Sequence, residues 1–198
     1  MVERMPELPR PVPALGDDRV SLRGWTEADV PAMMAAYADP TIVRFSWPHS
    51  RPYTEADAHA FLAEQGSMRR RGEELHFALV DPAEASAVLG SASLYAIDRE
   101  QRTAAVGYWL LPAARRRGIA TAGVRLLARW AFDELAIARL ELTCGPDNGA
   151  SQRVAARCGF VREGVLRSHM PFKGGRRDTV LYSLLAGEFG ERSGAERR

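Results

Sequence analysis

The sequence predicts an α/β protein in the broad sense, with a central mixed, mostly antiparallel and twisted sheet of about seven strands flanked by about four helices. Strand-like and helix-like segments intermix along the chain without an internal repeat. The most informative unit is the apolar segment 106–110, which leads through a basic turn into the amphipathic segment 119–134. We expect one domain at residues 19–189, with a flexible arm at 1–18 and a flexible tail at 190–198.

The first part of the chain is predicted to hold one short strand and two helices. Val20 and Leu22 indicate the strand. Thr-Glu-Ala-Asp at 26–29, and again at 54–57, resembles the capping box that starts a helix. Asp39–Pro40 is expected to end the first helix. The aromatic segment that follows it contains two prolines and is predicted to be irregular, over residues 45–53.

The rest of the chain is predicted to hold the other strands and two more helices. Apolar residues recur at helical spacing from Ile119 to Glu134, and a further helix is expected to start at Ser151. Apolar runs indicate strands at 76–80, at 88–97, in a segment that ends at 111, at 140–143, at 160–167 and at 178–185.

The basic turn at Arg115–Arg117 has the composition of an anion site. Gly118 allows the backbone to approach a ligand closely, and the small side chain of Ala120 leaves the first helical turn open. The N–H groups of that turn have no partner within the helix, and together with the helix dipole they favour phosphate oxygens. A solvated basic loop is the alternative for the turn alone, and the segments on both sides favour a phosphate site.

Motifs downstream of this turn carry a family resemblance. Pro146–Asn148 precedes a helix start at Ser151, and Gly159–Phe160 opens the next apolar run. In this order the segments resemble motifs A and B of the GNAT superfamily of acyl-CoA-dependent N-acetyltransferases. The family pattern (Gln/Arg)-x-x-Gly-x-(Gly/Ala) matches residues 115–120, and the resemblance covers residues 22–189. The segments VGYWLLP, NGAS and DTVLYSLL are most similar to those of the branch that includes the ribosomal-protein N-terminal acetyltransferases.

The resemblance implies transfer of an acetyl group from acetyl-CoA to a primary amine. In this family the pantetheine arm lies between two strands that splay apart, so the backbone of Trp109 and Leu110 is expected to bind it as an added strand would. Core packing is the alternative for their side chains. The residues that the resemblance assigns to cofactor binding are Trp109, Leu110, Arg115, Arg116, Arg117, Gly118, Ile119, Ala120, Thr121, Asn148 and Ser151. Another acyl group, such as succinyl, stays open.

The chain departs from the superfamily at two catalytic positions. Ala155 stands where many members carry a tyrosine acid, and the common glutamate base would fall near Ala105. The branch assigns the acid role to the serine of Asn-x-x-Ser, which implies Ser151, although this residue also suits a helix cap. Glu141 is the preferred base, with an ion pair to Arg139 as the structural alternative. The other candidates are His76, His49, Asp98, Glu100 and a water chain.

The acceptor is expected to lie beside the segments 45–53 and 168–177, which border the amine side of the cleft in this family. The residues expected to bind it are Trp47, His49, Tyr53 and His169, with loop packing as the alternative. The sequence has no dense acidic cluster of the kind that a polycationic amine favours. A protein or peptide N-terminus, a free amino acid and a small-molecule amine all stay open.

Composition limits the other function classes. The net charge of +2 is too small to indicate a nucleic-acid partner. No apolar run reaches the roughly 20 residues of a membrane span and no signal-peptide core is present, so we expect a cytoplasmic protein without a membrane partner. Cys144 and Cys158 are expected to be buried thiols, and no metal site is expected. A homodimer stays open.

Two alternatives of other classes are a non-catalytic acyl-CoA-binding module and a basic domain that binds nucleic acid through Arg115–Arg117 and Arg176–Arg177. Neither accounts for Asn148, Ser151 and Gly159–Phe160 together.

Overall fold

A computed structural model describes residues 7–9, 15–46 and 48–190. The strands of the described part are β1 (Ser21–Arg23), β2 (Leu75–Val80), β3 (Val88–Asp98), β4 (Thr103–Leu110), β5 (Arg139–Cys144), β6 (Val161–Phe172) and β7 (Gly175–Leu185). The α-helices are α1 (Val30–Ala38), α2 (Pro40–Ser46), α3 (Glu55–Arg71), α4 (Ile119–Asp133) and α5 (Gly149–Arg157). All seven strands form one sheet in the order β1-β2-β3-β4-β5-β7-β6, which confirms the predicted mixed α/β class.

The sheet opens between β4 and β5, which are its only parallel neighbours among the described strands. They pair only where Thr103–Ala105 lies beside Arg139–Glu141. Beyond this point β4 stays paired with β3 as far as Leu110, while β5 follows β7 as far as Cys144. The far halves of β4 and β5 therefore have no partner on the sides that face each other, and a gap opens between them.

Helices cover both faces of the sheet. On one face α4 buries the apolar stripe that the sequence predicts, and Val124 and Leu127 have no exposed surface. On the other face α1 and α3 pack against the sheet through Met33 and Ala58, in a cluster that also holds Trp25. Trp109 of β4 packs against this second cluster.

The second Thr-Glu-Ala-Asp segment starts α3 as predicted. The N–H of Asp57 donates to Thr54 Oγ1 at 3.3 Å, and the N–H of Thr54 donates to Asp57 Oδ2 at 2.8 Å. The first such segment forms a short 3₁₀ turn, Glu27–Asp29, that runs into α1. Both capping boxes are therefore present.

The prediction that the chain is irregular from residue 45 onwards was wrong at its start. The chain ends α1 at Ala38 and begins α2 at Pro40, because the first position of a helix needs no N–H partner and suits proline. The Asp39 carboxylate accepts the N–H of Ile42 at 3.0 Å and so stabilises this start. Phe45 consequently lies on a helix.

The last two strands are longer than predicted. The segment 168–177, expected as a border of the cleft, forms the tip of the β6–β7 hairpin. Lys173 and Gly174 have φ angles of 50° and 79°, as a tight two-residue hairpin turn requires. The sequence analysis ended these strands too early, because the residues of the tip do not show the alternation of apolar and polar side chains that indicates a strand.

Most of the expected N-terminal arm and C-terminal tail lies outside the described residues. Within the arm, Leu8 is buried, and its N–H donates to the carbonyl oxygen of Arg69 at 3.1 Å. Cys144 and Cys158 are buried free thiols, as predicted. No helix in the described ranges combines the length and apolar character needed to cross a membrane.

Candidate active site

The predicted phosphate loop lines a cavity of about 420 Å³ that lies beside α4, α5 and the end of β4. Gly118 has a φ angle of 80°, in the left-handed region that favours glycine, and α4 begins at the next residue. The first-turn N–H groups at 119–121 lack partners within the helix and remain for a ligand. We call this space the cofactor cavity. It is lined by Trp109, Leu110, Arg115, Arg116, Gly118, Ile119, Ala120, Thr121, Asn148 and Ser151, all expected cofactor residues.

The arginines of the turn have different positions. Arg116 lines the cofactor cavity, whereas Arg117 is exposed and is not among its lining residues. Arg115 lines it but also forms an ion pair with Asp39, with 2.5 Å between Nη2 and Oδ1. Hydrogen bonds from Arg115 hold the pKa of the Asp39 carboxyl below its usual value. Arg115 therefore joins the α1–α2 junction to the loop in addition to adding charge.

Two basic residues of this cavity were missed by the sequence analysis. Arg153 and Arg157 of α5 both line it. Their spacing of four residues, which places two side chains on one helix face, was the available signal. They add positive charge to the cavity that the phosphate loop also lines.

A second cavity of about 500 Å³ lies on the side of the sheet that α1 and α3 cover. We call it the acceptor cavity because Tyr53, one of the residues that the sequence analysis expects to bind the acceptor, lines it. Part of its wall is aromatic and part is polar. The rings of Tyr37 and Tyr53 stack with centroids 4.1 Å apart, and those of Trp25 and Trp109 lie 5.8 Å apart. The two cavities share the residues Phe45, Ser46, Tyr108, Trp109, Asn148 and Ser151, and so they meet beside the gap between β4 and β5.

A hydroxyl pair stands at this junction. The Tyr108 hydroxyl donates to Ser151 Oγ at 3.0 Å. Burial raises the pKa of Tyr108 well above its usual value, so this phenol keeps its proton at neutral pH. The sequence analysis missed Tyr108 because it lies in an apolar strand and its partner is on a distant helix. A tyrosine hydroxyl therefore reaches the α5 region from β4, although position 155 is alanine.

Asn148, rather than Ser151, caps α5. Asn148 Oδ1 accepts the N–H of Ser151 at 3.1 Å, and the helix begins at Gly149 instead of the predicted start at Ser151. The hydroxyl of Ser151 is consequently not used as an N-cap and lies at the junction, where it accepts from Tyr108.

His76 is the histidine of the predicted base candidates that lines the acceptor cavity. Its Nε2 lies 2.7 Å from Glu74 Oε2, and its ring packs edge-on against Phe61. In the sheet register His76 is paired with Ser93, and Ser93 is paired with Gly107. All three residues line the cavity, so they form a row across the sheet from β2 to the gap.

The other base candidates lie elsewhere. Glu141 Oε1 accepts from Arg139 Nε at 2.9 Å, which is the ion pair given as its alternative, and Glu141 does not line either cavity. Asp98 and Glu100 lie at the turn between β3 and β4, at the end of β4 away from the gap. His49 is exposed and lines neither cavity.

Of the residues expected to bind the acceptor, Tyr53 lines the acceptor cavity. His169 does not line it and instead forms a 2.8 Å hydrogen bond between Nδ1 and Thr179 Oγ1. His49 is likewise absent from its lining, and Trp47 lies outside the described residues. Arg177, the last residue of the segment 168–177 that was expected to border the acceptor, comes from β7 and lines the cavity, although the sequence analysis did not single it out as an acceptor residue.

The chain matches the family described as "Acetyltransferase (GNAT) domain" over residues 19–161. It is 32% identical over 134 residues to the "Probable N-acetyltransferase YjcK" of Bacillus subtilis (strain 168), and this alignment covers 67% of this chain and 74% of YjcK. It is 26% identical over 140 residues to the "Ribosomal-protein-serine acetyltransferase" of Escherichia coli (strain K12), which covers 71% of this chain and 76% of that protein.

Among solved structures, Mycobacterium smegmatis RimJ in complex with CoA-disulfide has the same fold, with a TM-score of 0.78 at 24% identity over 90% of each chain. The family match spans most of the chain and includes β4, the phosphate loop and the start of α5. The chain therefore belongs to the GNAT family and is an acyl-CoA-dependent N-acetyltransferase.

Proposed function

We propose that this protein transfers the acetyl group of acetyl-CoA directly to a primary amine while both substrates are bound. The observation that carries the proposal is the meeting of two cavities at the gap between β4 and β5, with Tyr108 and Ser151 at the junction. The loop at 116–121 binds the pyrophosphate at the outer end of the cofactor cavity. The pantetheine arm then lies along the free edge of β4 and delivers the thioester to the junction.

The transfer needs no acyl-enzyme intermediate. Cys144 lines the acceptor cavity, but burial raises the pKa of its thiol and leaves it a poor nucleophile. Holding the amine and the thioester in line accounts for most of the expected rate enhancement.

A base is needed because free amines, with pKa values from about 8 to about 10, are mostly protonated at neutral pH. We assign this role to His76, since Glu74 binds its Nε2 and leaves Nδ1 able to accept a proton. His76 and Ser93 both line the acceptor cavity, so a water chain along this row would connect Nδ1 with the amine. Glu141 remains the base that the sequence predicts, and its ion pair with Arg139 makes it the weaker candidate.

The proton for the leaving group comes from the hydroxyl pair. As the N–C bond forms and the C–S bond breaks, the CoA thiolate takes a proton from Ser151, and Tyr108 passes its own proton to Ser151. Tyr108 then regains a proton from the one that the amine has released to the base, so that the net transfer is from the amine to the thiolate. The thiol has an ordinary pKa of about 8.5, so this protonation contributes modestly to the rate.

Two kinds of acceptor fit this chemistry. A protein N-terminus is favoured by the name of the E. coli relative, a ribosomal-protein-serine acetyltransferase. A small amine is favoured by the volume of the acceptor cavity, about 500 Å³, which suits a small ligand. Acetyl is the proposed acyl group, and succinyl is the alternative.

Mass spectrometry tests the proposal most simply. The protein is incubated with acetyl-CoA or succinyl-CoA and a mixture of peptides, amino acids and small amines, while thiol release is followed in parallel. We expect acetyl-CoA to yield N-acetyl products, and Gly118→Glu to yield none. Products acylated only on oxygen or sulfur, or CoA binding without any N-acylation, would contradict the proposal.

A further inference from the structure

Arg177 places a fixed positive charge in the acceptor cavity. Its guanidinium carbon lies 3.9 Å from the ring centroid of Phe172, and its Nη1 donates to the carbonyl oxygen of Phe45 at 3.1 Å. The stacking and the hydrogen bond together hold the guanidinium plane in one orientation. Arg177 lines the acceptor cavity but not the cofactor cavity, so it is placed to meet the acceptor rather than CoA.

This guanidinium retains unused hydrogen-bond donors. Its Nε is buried without a partner, and within the described residues no carboxylate forms an ion pair with it. Asp147 lies close enough to favour the charge of Arg177, but Asp147 Oδ2 is bonded to Arg44. Burial lowers the pKa of Arg177, so the protein keeps a cation where water solvates it poorly. A ligand oxyanion would offset this desolvation.

The aromatic part of the wall suits an apolar group, and the cavity does not suit a second cation. Asp57 is the carboxylate among its lining residues, and both oxygens are already bonded to Arg51, at 2.6 and 2.7 Å. The stacked rings of Tyr37 and Tyr53 offer flat apolar surface instead. An acceptor with several ammonium groups would therefore find no free carboxylate here.

We propose that the acceptor is an amine that also carries a carboxylate and an apolar or aromatic side group, as apolar α-amino acids do, and that Arg177 binds this carboxylate. The inference rests on the proposed function and specifies its substrate class. The planar guanidinium pairs with two carboxylate oxygens, and the aromatic wall packs against the side group. The neutral α-amine then attacks the thioester, and the products are an N-acetyl amino acid and CoA.

The test compares L-phenylalanine with L-phenylalaninamide, which lacks the carboxylate, as acceptors for the wild type, Arg177→Met and Arg177→Lys. Because the amide group also makes the α-amine less basic, each kcat/KM is expressed per neutral amine. We expect the wild type to prefer phenylalanine by at least about tenfold in kcat/KM, because hydrogen bonds to charged groups are strong. Arg177→Met should abolish this preference by raising the KM for phenylalanine, and should change kcat/KM for the amide much less than kcat/KM for phenylalanine. Arg177→Lys should keep part of the preference, since lysine retains the charge without the planar fork.

The matched control is Arg176→Met, on the same strand. Arg176 is exposed and donates to the carbonyl oxygens of Ser168 and His169, outside the cavity. It should leave the preference intact, and melting temperatures with and without acetyl-CoA verify that each variant folds.

Equal use of the amide by the wild type would overturn the inference, as would a preference that survives in Arg177→Met. So would an effect of Arg177→Met on the choice between acetyl-CoA and succinyl-CoA alone, which would place the oxyanion on the acyl group. Acetylation of neutral amines or peptides only would also overturn this inference, but it would agree with the proposed function. Transfer to no amine at all would defeat both.

Discussion

Replacing Ser151 with alanine tests the hydroxyl pair at the junction. The change leaves the Tyr108 hydroxyl, which donates to Ser151 at 3.0 Å, without its acceptor. A polar group that loses its partner in a partly buried site costs about 1 to 2 kcal/mol of folding stability. For a domain of this size we expect the melting temperature to fall by roughly 2–8 °C. The α5 cap is unaffected, because Asn148 supplies it.

The activity of the same variant should fall by more than its stability explains. We expect kcat to drop by about 10- to 100-fold, because Ser151 gives its proton to the thiolate in the transition state. The KM for acetyl-CoA should stay within about twofold, since the hydroxyl contributes little to ground-state binding. Colorimetric thiol release measures both quantities, and a thermal melt measures the stability.

The double variant Ser151→Ala/Tyr108→Phe distinguishes a proton relay from two independent contacts. Removing the orphaned phenol should restore part of the lost stability and leave kcat at the level of Ser151→Ala alone. An unchanged kcat in Ser151→Ala, or a double variant whose losses simply add, would refute the assignment.

Three further predictions concern the loop, the base and an ion pair. Acetyl-CoA at 100 times its Kd should stabilise the wild type by about 2.7 kcal/mol and so raise its melting temperature. Gly118→Glu should abolish this rise, because a negative side chain enters a left-handed phosphate turn. His76→Gln should lower kcat/KM most at neutral pH, and the deficit should close as pH passes the amine pKa of roughly 8. Hydrogen bonds from Arg139 and Ser183 lower the pKa of Glu163 from 4.5 to about 2. The ionised Glu163 therefore stabilises the folded state above pH 4.5, and this stabilisation is lost as pH falls towards 2. Glu163→Gln should weaken the acid dependence of the melting temperature.

Each of these has a control or a contradicting result. Gly174→Glu places the same side chain at an exposed glycine with a φ angle of 79° and should keep the acetyl-CoA shift; loss of the shift in both variants would mean that charge alone acts. A deficit of His76→Gln that is equal at all pH values would indicate a structural role. Identical melting curves for Glu163→Gln and wild type between pH 5 and about 2 would contradict the ion-pair account.

The phosphate loop could be predicted from the sequence because its physics is local. A left-handed glycine, a helix start and nearby arginines lie within seven residues, and the structure places them around one cavity. The ion pair of Arg115 with Asp39 could not be predicted from local sequence, since Asp39 lies 76 positions earlier in the chain. Charge pattern alone does not distinguish a phosphate ligand from an internal carboxylate.

The acceptor side could not be predicted because it depends on strand register and helix packing. His76 lies in one row with Ser93 and Gly107 because of the strand register, and so it lines the acceptor cavity. Arg177 reaches the same cavity because the β6–β7 hairpin folds back beside α2. In the sequence Tyr108 is one of several residues in an apolar strand. Its role follows only from the packing of α5, which brings Ser151 within hydrogen-bonding distance of its hydroxyl. These positions follow from contacts between segments far apart in sequence, which periodicity does not encode.

The most direct test of the central assignment is a crystal structure of the protein with CoA. We expect the pyrophosphate to accept hydrogen bonds from the amides of residues 116–121, and the pantetheine arm to lie along the free edge of β4. The CoA sulfur should then lie within hydrogen-bonding distance of Ser151 Oγ, in the gap between β4 and β5. CoA bound on another surface, or with its sulfur outside the junction of the two cavities, would contradict the account.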